Sequence, residues 1–364
     1  MRLKELKLQN FRNFSEKKFN FANKNLICGK NGTGKTNILE AIHLLSLGKS
    51  FRSKSNQDFL KHNTNNASIS VQFSSQNSSR KFIQSLIIES QNHSKEIKKT
   101  FYKEGKKIPV FKIFGHFPMV FFGPEELKLV WGTPKDRRGI LDLIIAQFKP
   151  IYVRQLWKLS RLLRQRNKLL FMIENSRASI KELEFWNQEL TDIGSEIIFR
   201  RNSVILEINQ YLSQRYQEIS GTKDQLELRL FSSSRISEKE KNKKTIKKLF
   251  EQKIRNNLEI DLKNLSTGLG PHRDEPKLFL NKHNLESFGS RGEGRTAVLA
   301  FKFVQKQLLR EKLNIQVISL FDDAFSELDN SRINYMLRNL DKEQVIFTAT
   351  NIPKKLKNFN IIQL

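Results

Sequence analysis

The stretch GKNGTGKT at 29–36 constrains the fold of this chain more than any other part of it. It follows the apolar residues Leu26, Ile27 and Cys28 and leads into apolar positions at Ile38, Leu39, Ile42 and Leu45, so it reads as a glycine-rich loop between a strand and a helix. Gly29, Gly32 and Gly34 permit backbone conformations and close approach that side chains forbid. The N–H groups of the loop, which also contains Lys30, Asn31 and Thr33, can then converge on an anion near the helix N-terminus. Lys35 is placed to reach the β and γ phosphates of a nucleoside triphosphate, and the Thr36 hydroxyl to complete a Mg2+ shell. A glycine turn with an accidental Lys-Thr pair is the competing reading, and the strand, loop and helix context argues against it.

A partner for this loop stands near the other end of the chain. Val317, Ile318, Leu320 and Phe321 form an apolar run that ends in Asp322 and Asp323, the pattern of a buried parallel strand with acids at its carboxyl end. Asp322 is expected to hold Mg2+, usually through water, and Asp323 to position or deprotonate the attacking water. Two carboxylates after a strand also serve as a helix N-cap, and the glycine loop decides for the functional reading. Thr36 and Asp322 are 286 residues apart, far more than in small nucleotide kinases and GTPases, so one ATPase core carries a large insertion. Before the acidic strand, SRGEGRT at 290–296 opens a helix, and Ser290 with its glycines offers a second anion-binding helix terminus.

Charge indicates the partner. The 364 residues hold 65 Lys and Arg against 37 Asp and Glu, a formal +28, the long-range signature of a polyanion partner, nucleic acid or an anionic membrane surface. Between Lys135 and Lys168 there are ten basic residues and two acids. Within that segment Tyr152, Leu156, Leu159 and Leu163 share one helical face, while Arg154, Lys158, Arg161 and Lys168 fall on the opposite one. The one-signed face suits contacts to a phosphate backbone, the alternative being a solvated helix surface. The single cysteine, Cys28, allows no intramolecular disulfide. The N-terminus MRLKELKLQNF lacks a signal-peptide core and no apolar run reaches the ~18 residues of a membrane span, so a soluble cytoplasmic protein is expected.

Three regions follow: β-rich sequence with one strong helix at 1–122, a helical and basic insertion at 123–260, and a return to α/β alternation at 261–364. The polar stretch 74–81 reads as a hairpin turn, and 237–255, where Glu and Lys mix around sparse apolar residues, reads as a mobile, solvated segment. His272, in the loop STGLGPHRDE, has no visible metal partner and reads as structural rather than catalytic.

A set of motifs carries a resemblance. LQNFRN at 8–13, the glycine loop, GKSFR at 48–52, GPEELKLVWGTPKDRRGILD at 123–142, LLRQRNKLL at 162–170, GPHRDE at 270–275 and DDAFSELD at 322–329 resemble the RecF branch of the SMC-like ABC-type ATPases over nearly the whole chain. The resemblance implies an α/β ABC-type P-loop ATPase head with an inserted helical arm domain, ATP and Mg2+ as ligands, ATP-dependent homodimerisation on DNA and slow hydrolysis. It also implies recombinase loading at gapped DNA with RecR and RecO, and support of SOS induction. By that likeness Ser290, Gly292 and Glu293 contact the γ-phosphate held by a second copy, 326–329 line the dimer interface, and Arg12 lies near the nucleotide. Glu293 departs from the family's usual Gln, and the switch histidine of many ABC ATPases is absent, Thr348 and Thr350 standing in its neighbourhood. A processive translocase would need a second core or a hexamer interface, an SMC-like structural linker would need long heptads, and a transporter ATPase would share only the loop and signature.

Overall fold

Alternation builds the N-terminal sheet. In β1 (Arg2–Phe11) the residues Leu3, Leu6, Leu8 and Phe11 are buried, and a bulge between Leu3 and Glu5 accounts for the three-residue step at its start. With β2 (Phe14–Asn20), β4 (Asn66–Ser74), β5 (Lys81–Ser90), β6 (Ile97–Lys103) and β7 (Lys106–Ile108) it forms an antiparallel sheet of order β2-β1-β4-β5-β6-β7. Between these strands in sequence come β3 (Lys24–Cys28) and α1 (Lys35–Leu47), and β8 (Met119–Phe122) follows them. The computed structural model describes residues 1–53, 55–74, 81–90, 97–340, 343–353, 356 and 358–364, without the side chain of Glu327. The turn expected at 74–81 thus lies mostly outside the described residues; Ser74 and Lys81, which flank it, pair across β4 and β5.

The chain packs as two units, one of Met1–Leu127 with Lys302–Leu364 and one of Lys128–Phe301. The second contains α2 (Lys128–Trp131), α3 (Pro134–Phe148), α4 (Ile151–Glu174), α5 (Leu183–Ser220), β9 (Leu226–Phe231), α6 (Lys243–Asn256), α7 (Leu258–Asn264), β10 (Glu275–Leu280), β11 (His283–Asn284) and α8 (Leu285–Phe288). It also takes the start of α9 (Arg291–Leu313). By its α/β alternation 261–301 groups with the first region as parts of one head. By packing it belongs to the second unit, because β10 pairs along its length with β9 and lies against α3.

The first unit is completed by β12 (Ile318–Phe321), α10 (Ala324–Glu327), α11 (Asn330–Arg338), β13 (Val345–Ala349) and β14 (Asn360–Gln363). These give a parallel sheet of order β14-β3-β13-β12-β8, in which β13 separates the strand before the glycine loop from the strand before the two acids. Helix α1 touches β4 and β5 of one sheet and β8 and β13 of the other and is buried almost throughout, polar Glu40, His43 and Ser46 included. No helix among the described residues is long and apolar enough to cross a membrane.

The segment 237–255 differs from the mobile stretch expected. Residues Lys243–Asn256 form α6 against α5, with Asn242 capping its N-terminus and Ile246, Phe250 and Ile254 buried at i, i+4, i+8. Three apolar residues at that spacing suffice because Phe250 docks where α5 has Gly194, at which a Cβ would come within 2.3 Å of the ring. Phe250→Ala should therefore destabilise the protein by about 3–5 kcal/mol in denaturant unfolding, whereas Lys248→Ala, on the exposed side of α6, should change it by less than about 0.5 kcal/mol.

Candidate nucleotide site

The glycine loop closes tightly around its own backbone. Gly34 has φ +107, and a Cβ there would lie 2.7 Å from Asn13 and from the Phe14 ring; one on Gly29 would lie 2.9 Å from the Thr33 hydroxyl. Lys35 is buried, its amine donating to the carbonyls of Gly29 (2.7 Å) and Lys30 (2.9 Å), which holds a cation inside the loop. Lys30, Asn31 and Gly32 are exposed at the rim.

The two ends of the sequence meet at Thr36, whose hydroxyl donates to Asp322 Oδ1 at 3.1 Å. Thr348, on β13, donates its hydroxyl to the same oxygen (2.7 Å) and accepts the Asp323 N–H (2.9 Å). Burial pushes the Asp322 carboxyl up from its ordinary range and neighbouring Asp323 pushes it further, while the hydrogen bonds from Thr348 and Thr36 and the charge of Arg52 oppose the shift incompletely. Among the described residues no ion pair involves Asp322. A hydroxyl and a buried carboxylate short of positive charge fit a hard divalent cation, so Thr36 and Asp322 fit Mg2+. Asp323 is half-buried, with φ +49, and its carboxylate takes no hydrogen bond among the described residues. Ser326 and Asp329 are exposed; Ser326 donates to the Asp323 carbonyl at 2.8 Å and Asp329 caps α11.

A role for Glu40 was missed. It lies one turn beyond Thr36 on α1 with its side chain fully buried, and its carboxylate accepts from Arg12 (2.7 and 2.8 Å), Ser50 (2.5 Å) and Arg52 (3.0 Å). Burial alone would push this carboxyl up; the hydrogen bonds from Arg12, Ser50 and Arg52 outweigh it and hold it below 4.5. Arg52 also donates to Asn37, Asn37 to Asn13 (2.7 Å), and Asn13 to the Thr33 carbonyl (2.9 Å), so the motifs LQNFRN and GKSFR brace the loop from behind. The signal was the one acid on α1, with two arginine-bearing motifs left without an assigned acid.

In the second unit Ser290 begins α9 as half of a capping box: its N–H (2.7 Å) and hydroxyl (2.8 Å) donate to Glu293, and the Glu293 N–H donates to the Ser290 hydroxyl (3.2 Å). Gly292 is exposed, and Trp131 lies against Gly294, where a Cβ would meet the indole at 2.2 Å. Arg154, Lys158, Arg161 and Lys168 are all exposed on α4, opposite buried Tyr152 and Leu159, and Lys158 pairs with Glu189 at 2.9 Å. His272 Nε2 lies 3.0 Å from the Thr267 carbonyl; burial, with Arg273, Arg138 and Arg201 nearby, lowers it to about 4 and keeps it neutral.

Glycine loop, parallel sheet with an interposed strand, paired acids and a capped glycine-bearing helix define a P-loop ATPase head of the ABC and SMC type. The Smc head domain of Pyrococcus furiosus shares this fold, with a TM-score of 0.52 at 16% identity over 96% of this chain and 89% of that one. The profile of the RecF/RecN/SMC N terminal domain family matches residues 2–358. The chain belongs to that family, and within it to RecF. It is 32% identical to the DNA replication and repair protein RecF of Clostridioides difficile strain 630 over 98% of this chain and 93% of that one. It is 31% identical to that of Ruminiclostridium cellulolyticum over 96% and 93%. The solved structure of the recombination mediator RecF with ATP in the RecFOR pathway superposes with a TM-score of 0.87 at 30% identity, covering 96% of this chain and 93% of that chain.

The sign of the Glu40 shift sets a pH test. A depressed carboxyl stabilises the fold fully above the unfolded value near 4.5 and loses that contribution as the pH falls through the lower folded value. Glu40→Gln should cost about 1.5–3 kcal/mol at pH 7, and its deficit against the unaltered protein, followed by urea unfolding, should shrink below pH 4.5.

Proposed function

We propose that this protein is an ATP-dependent DNA-binding protein of recombinational repair and replication: two copies close on DNA with ATP between them, and slow hydrolysis releases them. The observation that carries the reading is the Thr36–Asp322 contact beside the glycine loop, which unites phosphate-binding and cation-binding groups at one sheet end. The names of its relatives support the biological setting. By that likeness RecR and RecO are its partners, recombinase loading at gapped DNA and support of SOS induction are its task, and the cytoplasm is its place.

In this reading the N–H groups from Gly29 to Thr36 take the phosphates and Lys35 turns its amine from the loop carbonyls to them. Thr36 and Asp322 hold Mg2+, which neutralises phosphate charge when bound. Asp323, free of hydrogen bonds to its carboxylate among the described residues, orients and deprotonates the attacking water. Arg12 acts on the site through Glu40. Ser290, Gly292 and Glu293 face the γ-phosphate bound by the second copy, and the basic face of α4 holds DNA by its phosphates. Lys35→Ala should abolish binding of a fluorescent ATP analogue. Asp323→Asn should bind it normally while turnover falls by about 10²-fold or more; turnover at the unaltered rate would move the base to another residue.

Glu293 occupies the Ser290 N–H and hydroxyl that a phosphate would take, so it has to yield before the copies close. Glu293→Gln keeps a capping box and removes the charge. It should lower the ATP concentration for half-maximal dimerisation, read by light scattering, by up to about tenfold. Ser290→Arg should leave ATP binding intact and prevent dimerisation; a dimer formed by that variant with ATP would exclude the head-to-head sandwich.

A further inference from the structure

The exposed side of α4 is not uniformly charged. Trp157 is 47% and Phe171 50% exposed, large values for aromatic rings on a helix whose opposite side is buried. Taken at 100° per residue, Trp157, Arg161, Arg164, Lys168 and Phe171 follow at i, i+4, i+7, i+11 and i+14, all within about 40° of the Trp157 direction. They form one straight stripe roughly 21 Å long, with an aromatic ring at each end and three cations between. Among the described residues no acid pairs with Arg161, Arg164 or Lys168, and neither ring stacks on another aromatic. Lys158, in contrast, lies about 100° away from Trp157 and is paired with Glu189.

A face built only for solvation has no use for a half-exposed indole and phenyl ring, and a face built only for duplex phosphates gains little from them, because paired bases are stacked on one another. Unpaired bases offer free π-faces to exposed rings while their backbone still demands cations. The single sign of the charge between the rings selects a polyanion over an ordinary protein surface. We propose that the stripe from Trp157 to Phe171 is a single-stranded nucleic-acid site: Arg161, Arg164 and Lys168 hold phosphates of one strand, and Trp157 and Phe171 stack on unpaired bases at its two ends. The proposal rests on the reading that the basic face of α4 takes DNA and adds which form of DNA it takes and through which rings.

Fluorescence anisotropy of the full chain with labelled oligo-dT and with a duplex of equal length tests it across a salt series. The double variant Trp157→Ala, Phe171→Ala, confined to exposed positions, should weaken oligo-dT binding by at least about tenfold, change duplex binding by less than twofold, and leave both salt slopes unaltered. Exchange of the rings, Trp157→Phe with Phe171→Trp, should restore most of the affinity. The triple variant Arg161→Ala, Arg164→Ala, Lys168→Ala should instead reduce the oligo-dT slope by roughly 0.7 for each phosphate no longer neutralised. Equal weakening of oligo-dT and duplex by the aromatic variant, or no weakening of either, overturns the stacking site while leaving the basic face as a DNA contact. Unchanged affinities and slopes in the triple variant overturn the DNA reading of α4 itself. Loss of binding to phosphatidylserine vesicles in the aromatic variant, with oligo-dT binding intact, overturns the proposal in favour of a membrane surface.

Discussion

The hydrogen bond between Thr36 and Asp322 can form only if strands from opposite ends of the chain stop at the same level. Parallel pairing arranges this: Cys28 is level with Ala349, and Phe347 is level with Phe321 and so with Phe122. The phenyl rings of Phe122, Phe321 and Phe347 stack in sequence at 4.1 and 4.6 Å across β8, β12 and β13. A shift of one strand by one residue would turn these rings to the other face of the sheet. Register, once fixed by the rings, delivers the glycine loop and both acids to one edge, and the interposed β13 adds Thr348 between them.

Charged groups inside each unit take partners from motifs distant in sequence. In the first, Glu40 takes its partners from 12, 50 and 52. In the second, Arg137 meets Glu275, Arg166 meets Asp261 (2.7 Å) and Thr267 (2.8 Å), and Arg201 meets Asp142 (2.9 Å) and the Pro271 carbonyl (2.5 Å). Removing one member of such a pair leaves an uncompensated charge in low dielectric. Residues 137–142, 166 and 271–275 thus meet partners distant in sequence within the second unit, and His272, kept neutral, donates to the carbonyl of Thr267, whose hydroxyl accepts from Arg166.

Much of the fold was legible because it rests on local pattern. The glycine loop, the alternation in β1 and β4, the amphipathic α4 and the apolar strand before Asp322 each follow from spacing alone. Segment 237–255 was not, because its composition is that of a solvated charge run, and only its packing on α5 shows that three apolar residues anchor it. The allocation of 261–301 was hidden for a similar reason: pairing of β10 with β9 is a long-range fact that no local period records. Of the site, the loop and the acids were visible as motifs. Glu40 was hidden inside the apolar pattern of α1, and the self-capping of Ser290 by Glu293 requires the coordinates of the helix start.

The seat of Phe250 on Gly194 also governs how this region can change over generations. Glycine inside a long helix is unfavourable by about 1 kcal/mol against alanine, so its presence in α5 records the ring that covers it rather than any preference of the helix. A larger residue at 194 is blocked while the phenyl ring is there, and a smaller residue at 250 leaves a void while the glycine is there. The two positions are thus expected to be replaced jointly in descendants, with the ring shrinking before the glycine grows.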